Sequence, residues 1–248
     1  MWYENFFYGL VQEAWKAGQT DEQTELECDF LHDTLDVQPG GRVLDIFCGH
    51  GRHALELARM GYSVTGVDIS TESIGELRKD ANREKLTVEA IAGDFMTLPI
   101  EGSFEAAYCL GNSFSFFPHD QMLVFLQKIA ALLPAGGRFV ADTAMIAESV
   151  LPDFEERNWM QIGEITFLME NEYDAREGCI TSHLTYLRDG QKEYRQSRHY
   201  IYTVAELHRL FQKAGLTITE LLGNLDGSDF LLGDERLLLV ASKSEEAE

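Results

Sequence analysis

Three acids and two glycines are the residues of this chain whose spacing points to chemistry. An apolar run beginning at Val43 ends in Asp45, a turn with Gly49 and Gly51 follows, and a helical pattern opens at once. Glycine lets backbone approach a ligand closely, and a helix N-terminus offers unpaired N–H groups and partial positive charge. A second apolar run, 63–68, ends in Asp68, placed to grip a ribose diol. A third acid, Asp94, follows the apolar-rich run 87–92. Together these residues predict a nucleoside-type cofactor held across the first strands of a doubly wound sheet.

Asp45 narrows the kind of cofactor. The spacing Gly49-x-Gly51-x-x-Ala54 would suit a dinucleotide turn. A carboxylate four residues earlier, however, repels a pyrophosphate and favours a ligand carrying an ammonium and a sulfonium. The stretch resembles the first motif of class I S-adenosylmethionine-dependent methyltransferases, acid-x-Gly-x-Gly-x-Gly, with Phe47 standing where the first glycine usually is. The resemblance continues in order along the chain. It makes Asp68 the ribose ligand, Ile69 the residue packing on the adenine face, and Asp94, followed by Phe95, the acceptor of the adenine amino group. Residues 104–112, which include Leu110 and Asn112, match the fourth strand and its active-site loop, and 132–142 match the turn and fifth strand. The wider pattern is similar to the branch that acts on small molecules, with S-adenosyl-L-methionine as cofactor.

The elements needed to position these residues are legible. Strands are expected near 42–47, 63–68, 87–92, 104–109 and 137–142, with helices near 51–60, 71–84 and 119–133. Such alternation predicts an α/β fold with a parallel sheet. Two helical patterns, 5–17 and 22–35, precede it, and Pro39-Gly40-Gly41 breaks the chain before the first strand. After Val150 three strands are expected, 164–174, 179–187 and 192–202, with Asp189-Gly190 as a hairpin turn. A helix over 204–214 and strands 216–222 and 236–241 close the fold, and the tail 244–248 is expected to be disordered. The expectation is a single domain over 1–248: a doubly wound, seven-stranded, mostly parallel Rossmann-like sheet with an N-terminal helical lid (1–38) and an inserted antiparallel β flap (151–202).

Composition excludes some partners. The chain carries 42 acidic against 20 basic residues, a formal charge of −22. Such a chain repels phosphate backbones, and no Lys/Arg cluster offers a local exception, so nucleic acid is not expected as a partner. No apolar run approaches twenty residues and no basic-then-apolar leader is present, which predicts neither a membrane span nor a secretory signal. Cys28, Cys48, Cys109 and Cys179 are scattered in mainly apolar contexts, as reduced packing residues of a cytoplasmic protein. Cys48-x-His50-x-x-His53 looks like a metal motif, but ligands in a cofactor turn would collide with the cofactor, so no metal is expected. A monomer or homodimer fits equally.

Ligands of open α/β sheets lie outside the carboxyl ends of the strands. The acceptor should therefore meet the loop 111–117, where Asn112 and Ser113 could hydrogen-bond substrate and Phe114, Phe116 and Phe117 could wall the transfer site. His199 and Tyr200, ending the last flap strand, are the candidate catalytic groups together with Asn112; His183 and His119 are further candidate bases. Tyr3, among Trp2, Phe6 and Phe7, could close over the cofactor, and Arg52 could pair with the cofactor carboxylate or with Asp45. The expected activity is methyl transfer to nitrogen or oxygen of a small molecule. A nicotinamide-dependent oxidoreductase and a non-catalytic S-adenosylmethionine-binding protein are the alternatives.

Overall fold

The computed structural model describes residues 2–244, so residues 245–248 of the expected tail lie outside the described part. The chain opens with a 3-10 turn, Trp2–Asn5, then α1 (Leu10–Ala17) and α2 (Asp21–Leu35). The first half-sheet follows as β1 (Arg42–Ile46), α3 (Arg52–Arg59), β2 (Ser63–Asp68), α4 (Thr71–Glu84) and β3 (Val88–Ala92). Next come β4 (Ala106–Cys109), a 3-10 turn at Phe114–Phe116, α5 (His119–Leu132), β5 (Arg138–Thr143) and the short α6 (Ala147–Val150). Four strands then precede the last helix: β6 (Arg157–Ile162), β7 (Ile165–Asp174), β8 (Cys179–Arg188) and β9 (Gln191–Tyr200). The chain closes with α7 (Val204–Lys213), β10 (Leu216–Leu222) and β11 (Leu237–Lys243).

Seven strands form one sheet in the order β10-β11-β5-β4-β1-β2-β3, parallel except for β11, which runs antiparallel to both neighbours. The strand order reverses at β1, which has β2 on one side and β4 on the other. That switch point opens a crevice at the carboxyl ends of the strands. Alternation of side chains along each strand buries both faces. Leu44, Ile46, Val67, Ala107 and Phe139 face α5 and α7 through Phe125, Leu126, Leu210 and Phe211. Val43, Val64, Ala106, Tyr108 and Val140 face α2, α3 and α4 through Leu31, Leu35, Leu57, Ile74 and Leu77.

The four inserted strands form a separate antiparallel sheet, β6-β7-β8-β9. The Asp189-Gly190 turn has positive φ at both residues, 47° and 79°, as a tight hairpin requires. β8 alternates buried and more exposed positions, and Ser182, Leu184 and Tyr186 point to its inner face. The flap has one strand more than its sequence suggests. β6 reads Arg-Asn-Trp-Met-Gln-Ile and is exposed along almost its whole length, so no alternating pattern announces it.

The N-terminal region also departs from expectation. The helix expected over 5–17 is interrupted at Gly9, whose φ of 64° and ψ of −140° no helix can contain. Glu193 of β9 fills the space where a Gly9 side chain would be, and accepts a hydrogen bond from the Leu10 N–H at 3.3 Å, capping α1. Arg195 completes the anchor by donating to the Phe6 and Tyr8 carbonyls. The expected 1–38 lid therefore divides: residues 2–17 lie against the flap, whereas α2 belongs to the layer beneath the sheet.

Gly51, expected to touch cofactor, has a packing role in this fold. Its φ is 83°, and a Cβ there would stand 2.3 Å from a Leu77 methyl of α4. Replacing it by alanine combines left-handed strain with a core clash. Gly51→Ala should lower the unfolding free energy by roughly 2–4 kcal/mol, seen as a lower urea midpoint at unchanged slope; an unaltered midpoint would contradict this packing account.

Candidate functional site

The β1–α3 turn is built from residues held at positive φ. Phe47, Gly49 and Gly51 have φ of 62°, 56° and 83°. Phe47 thus adopts the backbone shape for which the resembling motif uses glycine, at a cost of roughly 1–2 kcal/mol for a residue with a side chain. Its ring offsets that cost by stacking on Phe125 at 5.7 Å and meeting Phe95 edge-on at 6.0 Å. A Cβ on Gly49 would meet nothing within 4 Å, so the turn presents bare backbone to open space.

That space is a cavity of about 610 Å³. Tyr3, Asp45, Phe47, Gly49, Arg52, Asp68, Ile69, Asp94, Phe95, Leu110, Asn112 and His199 all line it, although they come from positions spread over nearly the whole chain. Gly51 and Tyr200 do not line it. Tyr200 succeeds His199 on β9 and, by strand alternation, turns to the opposite side, where it packs on the core. His119 and His183 are exposed elsewhere, His119 beside Asp120 and His183 on the outer face of the flap. Phe116 and Phe117 reach the cavity, while Phe114 is buried against Phe125, Phe139 and Phe211.

The acids differ in how they are held. Asp68 accepts from the Gly49 N–H at 2.9 Å and the Ser70 N–H at 2.8 Å, one per oxygen, which leaves a lone pair on each for a vicinal diol. Asp94 accepts from the Met96 N–H at 2.9 Å. Asp45 is 2% exposed, and its Oδ2 has no hydrogen-bond partner. Burial pushes its carboxyl up to about 7. A buried, unpaired carboxylate in a cavity wall is the complement of a cationic ligand group, because only such a group repays its desolvation. The orphaned Asp45, the bare Gly49 and the half-satisfied Asp68 fit a cofactor with an ammonium, a ribose and little room at the turn.

Arg52 is not paired with Asp45. It reaches Glu27 at 2.6 Å and Thr24 Oγ1 at 3.0 Å. Glu27, on α2, is 3% exposed and also accepts from His53 Nε2 at 2.8 Å, Gln23 at 3.0 Å and Arg236 at 3.3 Å. Burial opposes its ionisation, but the His53 hydrogen bond and the Arg52 charge hold its carboxyl well below the usual range. Arg236 lies 3.6 Å from Asp142, whose Oδ1 accepts from the Asn112 N–H at 3.0 Å. Asn112 itself has φ of 61°, and its side-chain oxygen accepts from the Ala144 N–H at 2.9 Å, so it ties the loop after β4 to the loop after β5. Glu27 and Arg236 were not among the sequence candidates. A charged residue beside the apolar positions 28, 31 and 35 of α2 was the available signal for Glu27; Arg236 has none.

Over the other end of the cavity sit Trp2, Tyr3, Phe6 and Phe7 with the inner face of the flap. Trp2 and Phe116 flank His199 with ring centroids 5.6 and 5.4 Å away. His199 Nδ1 is buried without a partner, and burial lowers its pKa to about 4, so the ring is neutral at physiological pH.

Residues 43–137 match a family model described as a methyltransferase domain. Human glycine N-methyltransferase is 35% identical over 119 residues, 41% of this chain and 40% of that one. The glycine/sarcosine N-methyltransferase of Aphanothece halophytica is 25% identical over 78% of this chain and 69% of that protein. The chain therefore spans less than half of the human relative. Among solved structures, the CcbJ methyltransferase of Streptomyces caelestis superposes with a TM-score of 0.84 over 98% of this chain and 99% of that one, at 18% identity, which speaks for a shared fold. By its matched domain over 43–137, its motifs in order and its sheet topology, the chain is similar to the class I S-adenosylmethionine-dependent methyltransferases.

Proposed function

We propose that this chain transfers a methyl group from S-adenosyl-L-methionine to a nitrogen or oxygen of a small-molecule acceptor. The observation that carries the reading is the buried, unpartnered Asp45 carboxylate sharing one cavity with Asp68, Asp94 and His199. Asp45 would hold the methionine ammonium, Asp68 the ribose hydroxyls, Asp94 the adenine amino group, and Ile69, Phe47 and Phe95 the apolar surfaces of the nucleoside. Arg52, already neutralised by Glu27, would position the glycine turn rather than bind a carboxylate alone. Leu110 and Asn112 would shape the floor beneath the sulfur.

When bound, the cofactor supplies an electrophilic methyl on a sulfonium. The acceptor lone pair forms the new bond to carbon while the carbon–sulfur pair returns to sulfur; the positive charge passes to the acceptor, which then loses a proton. The protein's part is alignment, exclusion of water and removal of that proton. Trp2, Tyr3 and Phe116 exclude water, and neutral His199 is the base at the flap end of the cavity. Tyr200 has no place in this arrangement. A nicotinamide oxidoreductase would have to set a pyrophosphate beside Asp45, which Coulomb repulsion disfavours, and a buried neutral base serves no purpose in a mere binding protein.

The setting proposed for the protein follows the same observations. Four unpaired cysteines suit a reducing cytoplasm. The net charge of −22 leaves a small molecule, rather than nucleic acid, as the partner. Among the described residues no helix is long and apolar enough to cross a membrane. A monomer or homodimer accommodates the site equally.

Removal of the ribose ligand in Asp68→Ala should weaken S-adenosylhomocysteine binding by about 100-fold, the worth of two charge-assisted hydrogen bonds; calorimetry returning an unchanged Kd would contradict the assignment. Asp45 yields a second, opposite-signed pair of effects. Its folded pKa of about 7 exceeds the ordinary carboxylate value, so the folded protein binds more protons than the unfolded one between pH 4 and 7, and stability is lost as pH rises through that window. Asp45→Asn should accordingly raise the ligand-free melting temperature at pH 8, with the gain vanishing near pH 4, while weakening cofactor binding at least tenfold. A variant less stable than wild type at pH 8 would count against the unpaired state. For His199→Ala, steady-state kinetics should show kcat reduced by about 10²-fold with cofactor Kd unchanged; full activity would remove His199 from the mechanism.

A further inference from the structure

The cavity has two chemically distinct halves, and the second half identifies the body of the acceptor. Every residue matched to the cofactor lies towards the sheet. The remaining wall is the inner face of the flap with the N-terminal segment laid across it, and strand register makes it continuous. Phe167 of β7 stands opposite Tyr186 of β8 with rings stacked 4.5 Å apart, and Met169 stands opposite Leu184. Ile162 of β6 extends the wall at one edge. On β9 the inward positions are Glu193, Arg195, Ser197 and His199; Arg195 is spent on Glu193 and the Phe6 and Tyr8 carbonyls, so Ser197 and His199 are the polar groups that β9 sends into the cavity.

This half offers nothing to hold an acid. Among the described residues lining the cavity, the cationic side chains are Lys16, Arg52 and Arg236. Lys16 is paired with Glu76, Arg52 with Glu27, and Arg236 with Glu27 and Asp142. None of them belongs to the flap. An amino acid acceptor would bring its carboxylate into an aromatic and aliphatic wall without a free cation, where nothing repays its desolvation. An amine on an apolar body avoids that penalty by entering as the neutral free base, its proton left to solvent. The Trp2 and Phe116 rings beside His199 tolerate the positive charge it takes up with the methyl group, and the wall takes its hydrocarbon.

Resting on the methyltransferase reading, we infer that the acceptor is an amine carried on a bulky, uncharged apolar or aromatic body, seated against Leu184 and Met169 with its nitrogen at His199, and is not a free amino acid. The relatives named for glycine would then share the cofactor half of the site and differ in the acceptor half. The fate of the bonds is that already given: nitrogen takes the methyl carbon, the electron pair returns to sulfur, and the surplus proton leaves the product ammonium by way of His199.

The test is binding to the protein already saturated with S-adenosylhomocysteine, using 4-phenylbutylamine, ethylamine and glycine as probes in calorimetric titrations. The expected result is 4-phenylbutylamine binding at least tenfold tighter than either small probe. Leu184→Arg should cut that affinity at least tenfold while leaving the S-adenosylhomocysteine Kd within twofold. Should Leu184→Arg fail to fold, Met169→Ala, a half-buried position, provides the same reading with an affinity loss of about fivefold or more. Glycine or ethylamine binding as tightly, absence of 4-phenylbutylamine binding, or unchanged affinity in a folded flap variant overturns the inference. Absence of S-adenosylhomocysteine binding in the first step would instead overturn the methyltransferase reading, so the two failures are distinguishable.

Discussion

One carboxylate organises this molecule: Asp45, buried at the end of the strand beside the switch point and left without a hydrogen bond on Oδ2. Burying an acid is destabilising, and Tyr108 and Arg52 nearby offset only part of that cost, so its pKa stays raised. The buried Tyr108 phenol and the half-buried Cys48 thiol nearby both have pKa values pushed up, so these neighbours stay neutral. The nearest cation that might have neutralised Asp45, Arg52, is instead held by Glu27. The site is therefore electrostatically incomplete, and a ligand that brings a positive charge would complete it.

The rest of the structure keeps that incompleteness in place. The turn after β1 needs left-handed backbone at 47, 49 and 51, each for a different reason. At 49 the gain is an open approach; at 51 it is close contact with Leu77; at 47 it is a ring delivered into the aromatic cluster around Phe125. Glu27 gathers Arg52, His53 and Arg236 into one buried network that fixes α2, α3 and the residue before β11 around the cavity. Asn112 and Asp142 strap the loops after β4 and β5 to each other. The flap and the N-terminal segment, clamped together through Glu193 and Arg195, supply the apolar end.

Most of the proposed cofactor half was legible because its signals are local. An acid at the end of an apolar run, followed by glycines and a helix, can be read within ten residues, as can Asp68 and Asp94 at the ends of their own runs. The rest of the cavity was less legible because it depends on contacts between distant segments. Glu27 meets Arg236 across 209 positions, and Leu10 meets Glu193 across 183. β6 escaped notice because an exposed edge strand need not alternate, and the break at Gly9 because the apolar spacing of Phe6, Leu10, Val11 and Ala14 continues through it. His199 and Tyr200 could not be told apart as candidates until strand register showed which one faces inward.

The central claim is that Asp45 is an ionisable acid waiting for a cation. It is tested most directly by the protons exchanged when S-adenosylmethionine binds, from calorimetry at pH 7 in buffers of different ionisation enthalpy. A carboxyl near pKa 7 that ionises on meeting an ammonium should release about half a proton per ligand at that pH, and Asp45→Asn should abolish the release. Binding with no proton exchange in the wild-type protein, or with the same exchange in the variant, would contradict the account.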